Sequence, residues 1–229
     1  MPEYDDTKSW INKLRKSIEE HISRNDLLEN NIEISNSSDE REKSIWIKKA
    51  LERLEKETTE AKCQSIMEKC SHVFPVDIYK HITEAYQNHK DINEALDLRH
   101  KLMVDLHKRA YKEGFWDVDE ETIELIKQHR IVETGVLNDN GNIMVRKVPC
   151  ASKEYHKAKN EEEKRYHYCH CYWLKYAIKN KIEISPLICH CGGGHYKHFW
   201  ENVLQKEVEI ILTKSIIKGD NECEFIIKI

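Results

Sequence analysis

The feature that most limits what this chain can fold into is a change of hydrophobic period at Ile131. Before it, apolar residues recur every three to four positions, which gathers them on one face of an α-helix; after it they alternate, as in a half-buried strand. Trp10, Ile11, Leu14, Ile18 and Ile22 form one such stripe over Asp6 to about Arg24. Asn25 to Ser38 is polar and irregular. Ser37-Ser38-Asp39-Glu40 then has the Ser-x-x-Glu spacing of a capping box and opens a helix expected to reach about Cys70, with Ile47, Leu51, Leu54, Ile66 and Met67 inward. Phe74-Pro75 closes it. A shorter helix follows from Val76 to about Asn88. Another spans Asp91 to Lys112, with Leu96, Leu102, Met103, Leu106 and Ala110 as its buried edge and Gly114 as its C-cap. Asp117-Val118-Asp119-Glu120 caps a last helix that ends near His129.

Beyond Ile131, Val132–Leu137 and Asn142–Val148 flank Asn138-Asp139-Asn140-Gly141, whose Asn and Gly favour a hairpin turn. Ala151 to Arg165 is charged and reads as a helix or a surface excursion. The clearest strands come last. Val208, Ile210 and Leu212 alternate with polar or opposite-face residues. Gly219-Asp220-Asn221 turns the chain, and Cys223, Phe225, Ile227 and Ile229 then alternate with Glu222, Glu224 and Lys228. The fold class expected is therefore α+β, with a helical region 1–130 packed on a mostly antiparallel C-terminal sheet in 131–229.

Against this scaffold, Tyr166 to Trp200 stands out. It holds two Cys-His-Cys triplets, Cys169-His170-Cys171 and Cys189-His190-Cys191, followed by Gly192-Gly193-Gly194 and the aromatic run His195-Tyr196-Lys197-His198-Phe199-Trp200. With 8 cysteines in 229 residues, chance placement would give roughly 0.3 Cys-x-Cys pairs. The setting matters for what those thiols do. The N-terminal residues are acidic and lack the apolar core of a secretory signal, and no apolar run reaches the ~20 residues that span a bilayer. The expectation is a cytoplasmic protein, away from membranes, in which clustered thiols stay reduced and serve as metal ligands or reactive groups. The net charge of −4, with acids and bases mixed throughout, offers no one-signed basic face, which argues against nucleic acid as a partner.

Four thiolates satisfy a tetrahedral zinc ion, and two pairs from two segments are a usual arrangement. On regular strands, however, the two cysteines of a Cys-x-Cys stand about 6.5 Å apart on one face, too far for both sulfurs to sit ~2.3 Å from one ion unless the backbone bends. A mixed site drawn from Cys169, Cys171, Cys189, Cys191, His195 and His198 fits as well as a four-cysteine site, because His195 and His198 share a face if helical. An iron–sulfur cluster is a further option, although the familiar ferredoxin spacings are absent. The competing chemistry is nucleophilic. Cys191, next to His190 and at the start of a helix after the glycines, is the best-placed thiol, with His195 or His198 as base. Gly192, Gly193 and Gly194 read either as a tight strand-to-helix turn or as backbone amides cradling a bound anion. Cys63 and Cys70, seven positions apart on one expected helix, are about 10 Å apart along it and read as small core residues, with Cys70 near enough to the helix end to approach the C-terminal site. Tyr166, Tyr168, Tyr172, Trp173, Tyr196, Phe199 and Trp200 suit a core, or a pocket for a small planar ligand.

The segment from Cys169 onward resembles an uncharacterised family of bacterial and archaeal cytoplasmic proteins with paired Cys-x-Cys motifs, glycine after the second pair, an aromatic-Glu helix and a closing hairpin. Here those features are Phe199-Trp200-Glu201 and Ser215-Ile216-Ile217-Lys218-Gly219-Asp220-Asn221-Glu222-Cys223-Glu224-Phe225. Ile66-Met67-Glu68-Lys69-Cys70 resembles a helix end of the same family. The hairpin alone is similar to the last strands of 4-vinyl reductase domains and of aminothiazoline-carboxylate hydrolases, and the likeness implies a mixed sheet with helices packed on it. The leading functional expectation is a metal-binding protein, with zinc as the metal, whose Cys/His site takes a small-molecule ligand for sensing or catalysis. The alternatives are a thiol-dependent hydrolase acting on a C–N or C–S bond and a structural zinc site in an interaction protein.

Overall fold

The computed structural model of this chain describes residues 7–28 and 34–229. The expected start of the first helix at Asp6, and residues 29–33 of the irregular stretch, lie outside them. Among the described residues the helices are α1 (Thr7–Ile22), α2 (Glu40–Glu57), α3 (Glu60–Glu68), α4 (Lys80–His89), α5 (Ile92–Glu113), α6 (Glu120–Gln128), α7 (Ser152–Lys157), α8 (Glu161–Tyr168), α9 (Lys175–Asn180) and α10 (His190–Leu204). The strands are β1 (Val136–Leu137), β2 (Ile143–Arg146), β3 (Glu209–Lys214) and β4 (Glu224–Lys228). They form one antiparallel sheet in the order β1-β2-β4-β3. The fold is α+β. No helix among the described residues is long and apolar enough to cross a membrane.

Local chemistry sets most boundaries. The Asp91 carboxylate accepts from the amides of Asn93 and Glu94, and Asp119 accepts from Thr122, so each satisfies donors that the first helical turn leaves unpaired. Gly114 ends α5 at φ 71°, the left-handed conformation in which a Cβ would be strained. The single helix expected up to Cys70 is two. Thr58 is extended, and the Thr59 hydroxyl accepts from the Lys62 amide at 3.4 Å to begin α3. Two adjacent threonines, poor in a helix interior and good at its start, explain the break. The capping box also falls later than expected: Asp39 and Glu42, not Ser37 and Glu40, exchange the bonds.

In the sheet, β4 lies between β2 and β3 and pairs Phe225 with Val145 and Leu212, and Ile227 with Ile143 and Ile210. Phe225, Ile227, Val145 and Ile143 are buried, as the period-two pattern requires. Glu224 departs from that pattern. It is buried at the strand's start, where its carboxylate accepts from Arg146 Nε at 2.7 Å and from the Thr213 hydroxyl at 3.0 Å.

The chain forms two compact units, one of Met1–His72 with Cys171–Gly194 and one of Val73–His170 with His195–Ile229. Each takes segments from both sides of residue 131. In the first, α1 packs on α3 and α2 packs on α9, around Leu14, Ile18, Ile47, Leu51, Leu54 and Ile66. Trp173 joins that core with its ring 4.9 Å from Trp10 and 5.3 Å from Trp46, while its carbonyl accepts from the Ser44 hydroxyl at 2.6 Å. The second unit holds the sheet and packs α4 and α6 on α5, with Met103, Val104, Ile126, Val132 and Val148 as one core cluster.

Candidate functional site: Cys191 in the first turn of α10

Neither Cys-His-Cys triplet lies in a strand, so the strand spacing worked out from the sequence does not apply. Cys169 caps the C-terminus of α8 and Cys171 precedes the 3-10 turn Tyr172–Leu174. The second triplet is helical throughout. Ser185 accepts from the Leu187 amide and Pro186 supplies a preset φ, which starts a 3-10 turn, Pro186–Cys189, that runs directly into α10 at His190.

The three glycines are likewise part of α10 and not a turn before it. Glycine costs about 1 kcal/mol against alanine in a helix, and at Gly194 the packing explains the choice. A Cβ there would lie 1.9 Å from the Glu68 carbonyl oxygen and 2.8 Å from the Glu68 Cα. The end of α3 and the first turn of α10 therefore touch backbone to backbone. That contact brings the end of α3, with Cys70 just beyond it, to the level of Cys191.

Cys191 is half-buried in the first turn of α10, and the indole Nε1–H of Trp10 donates to its Sγ at 3.4 Å. Cys70 is fully buried, and its thiol donates to the Ile66 carbonyl at 3.3 Å. Burial first, and then the charge of Cys191, push the Cys70 thiol well above its ordinary range, while the Lys13 ammonium pulls the other way. The two thiols and Lys13 are thus within electrostatic reach of one another. Lys13 is held there by donating to the Ser71 carbonyl at 2.9 Å. An indole N–H and a nearby ammonium both favour negative charge at this point.

The other expected site residues fall as follows. Cys171 and Cys189 belong to the same unit as Cys191 and are half-buried. Cys169, His195 and His198 belong to the second unit. There Cys169 is buried near Cys223, whose thiol is pushed up to about 12 by burial and then by the charge of Cys169. The ring of His195 stands edge-on to Phe74 at 5.0 Å. The backbone carbonyl of His198 accepts from the Asn202 amide at 2.8 Å. Cys63 is a buried core residue whose thiol points to the Leu54 carbonyl at 3.7 Å. Among the described residues no three His, Cys, Asp or Glu side chains converge as a metal-ion site. Sequence reasoning passed over Trp10, which it used only as part of an apolar stripe. Its indole N–H, on a helix otherwise flanked by charge, was the available signal.

Fold and site together define an α+β protein with a half-buried thiol at a helix start, beside a second, buried thiol. Compared with models of protein families, with curated proteins and with solved structures, the chain matches none.

Proposed function

We propose that this protein acts through Cys191 as a thiolate nucleophile on a small molecule, in a thiol-dependent hydrolysis of a C–N or C–S bond. The observation that supports this reading is the Trp10 indole N–H donating to Cys191 Sγ at 3.4 Å in the first turn of α10. A hydrogen bond to sulfur stabilises the thiolate, which is the reactive form. In the reaction, Sγ attacks the carbonyl carbon of an amide or thioester substrate, the C–N or C–S bond breaks to leave an acyl thioester on Cys191, and the amine or thiol leaves with the proton that the Cys191 thiol gave up. Water then cleaves the thioester and restores the thiol.

The test is alkylation of the native protein with iodoacetamide, followed by peptide mass spectrometry. Cys191 is expected to react first and alone, and Trp10→Phe to slow it several-fold. If all eight thiols react at similar rates, or if Trp10→Phe leaves the Cys191 rate unchanged, the nucleophile reading fails.

Zinc binding is the second reading, and what favours it is Cys70 within electrostatic reach of Cys191, with Cys171 and Cys189 in the same compact unit. Thiolates bind zinc as readily as they attack carbon. In this case the protein purified under reducing conditions carries stoichiometric zinc, and a chelator, not a substrate analogue, changes the alkylation of Cys191. Less than stoichiometric metal rules this reading out.

A further inference from the structure

The first unit carries a recess whose lining has charge of one sign. It runs along the first three turns of α1, has a volume of about 420 Å³ and is lined by Lys8, Ser9, Asn12, Lys13 and Lys16. That volume is in the range of small-molecule sites and well beyond what a single ion fills. Lys8, Asn12 and Lys16 follow one another at four-residue spacing over about 12 Å of helix, with Ser9 and Lys13 beside them. Lys8, Asn12 and Lys16 are exposed, while Ser9 and Lys13 are half-buried.

The lining presents hydrogen-bond donors. A lysine ammonium only donates, and an asparagine side chain offers one oxygen and one NH2 group. The Asn12 oxygen already accepts from Arg15 Nη1 at 3.2 Å, so the NH2 is what Asn12 has left for a ligand. Ser9 adds a hydroxyl. No carboxylate joins the lining, on a chain whose formal charge is −4.

Little nearby neutralises this charge. Lys13 Nζ donates to the Ser71 carbonyl at 2.9 Å, a neutral acceptor that holds the ammonium in place. Among the described residues the one ion pair that reaches these lysines joins Lys16 to Glu20 at 3.9 Å, and Glu20 is engaged more closely by Lys69 at 2.8 Å. Elsewhere the helices set an acid one turn from a surface base, as with Lys80 and Glu84, Arg109 and Glu113, or Lys164 and Glu161. The positions one turn from Lys13 are instead Ser9, Trp10, Lys16 and Ser17. Lys13 and Lys16 thus repel each other at a spacing where the rest of the molecule pairs opposite charges.

We propose that this recess binds the phosphate group of a small phosphomonoester. With Lys16 shared with Glu20, between two and three positive charges face the ligand. A phosphate group carries about −1.5 to −2 at neutral pH and presents acceptor oxygens, which suits a lining of ammonium and amide donors better than the single charge of a carboxylate. The volume beyond the phosphate takes the organic part of the ester. The site does not rest on the Cys191 reading, and its test reads binding alone.

The experiment is isothermal titration calorimetry of the full chain at fixed ionic strength in chloride, with glycerol 3-phosphate, inorganic phosphate or acetate as the titrant. Glycerol 3-phosphate is expected to bind saturably at one site per chain. Lys8→Gln/Lys16→Gln should weaken that binding at least tenfold, while Lys101→Gln/Lys112→Gln, the same change of charge at exposed positions of α5, should leave it unchanged. Tighter binding of glycerol 3-phosphate than of inorganic phosphate assigns the site to an ester, and equal or tighter binding of inorganic phosphate assigns it to the free ion. The proposal is overturned if neither phosphate compound binds saturably, if acetate binds as tightly as they do, or if the two double variants respond alike.

Discussion

Replacing Gly194 by alanine should destabilise the protein although alanine is the better helix former. The new Cβ would sit 1.9 Å from the Glu68 carbonyl oxygen and 2.6 Å from the Glu68 carbonyl carbon, below the 3.0 Å that real Cβ contacts essentially never breach. To clear the oxygen, α3 and α10 would have to separate by about 1 Å, and a backbone carbonyl has no rotamer to turn away. Overpacking of this kind costs about 1 to 3 kcal/mol, and this contact belongs at the upper end. The helix-propensity gain of alanine over glycine returns about 0.8 to 1 kcal/mol. The expected net loss is therefore about 2 kcal/mol, read as a lower urea midpoint with an unchanged slope by far-ultraviolet circular dichroism. Because Cys191 lies one turn earlier on α10, the same shift should draw its sulfur away from Trp10. Alkylation of Cys191 in Gly194→Ala should therefore approach the rate of Trp10→Phe. A Gly194→Ala protein as stable as the wild type, or more stable by the propensity gain alone, would refute the close approach of α3 and α10.

Two further outcomes concern the sheet. Burial alone would raise the Glu224 carboxyl above its reference value of 4.5, but the hydrogen bonds from Arg146 and Thr213 and the charge of Lys214 outweigh burial and hold it below that value. The carboxyl lowered in the folded state contributes stability that is fully present above pH 4.5 and is lost as pH falls through its lowered value. Glu224→Gln should flatten that acid limb in urea titrations at stepped pH, and an unchanged limb would show that the ion pair with Arg146 does not set it. Cys223, buried and pushed up to about 12, should stay unmodified in native protein over the time Cys191 takes to alkylate, and react only once denaturant is added. Early labelling at Cys223 would contradict its burial just before β4.

What was readable from the sequence follows the range of each signal. The Asp119 and Gly114 caps act within one helical turn, and both lie where the local pattern put them, while Asp91, expected as the first residue of its helix, is the N-cap just before it. The alternation in Phe225 and Ile227 likewise needs only its own strand and one buried face. Local rules failed where two local solutions compete. Cys-His-Cys followed by glycines reads as strand and turn, yet Ser185 and Pro186 start a helix just upstream and α10 continues through the glycines. Glu224 occupies a solvent-side position in the alternation and is buried because Arg146, on the neighbouring strand, supplies the charge it needs.

By itself the sequence determined the α+β class, the caps at Asp119 and Gly114 and the two antiparallel strand pairs, because each depends on dihedral preferences and on hydrogen bonds between near neighbours. Only the tertiary structure decided what the thiols and Lys13 face. Trp10 and Cys191 are 181 positions apart. Gly194 is explained by a carbonyl on another helix, and Lys13 is an ordinary charged position of α1 until the Ser71 carbonyl, 58 positions on, holds its ammonium. In each case the deciding energy is a contact between segments that no local pattern pairs, so the residues are legible in the sequence while their partners are not.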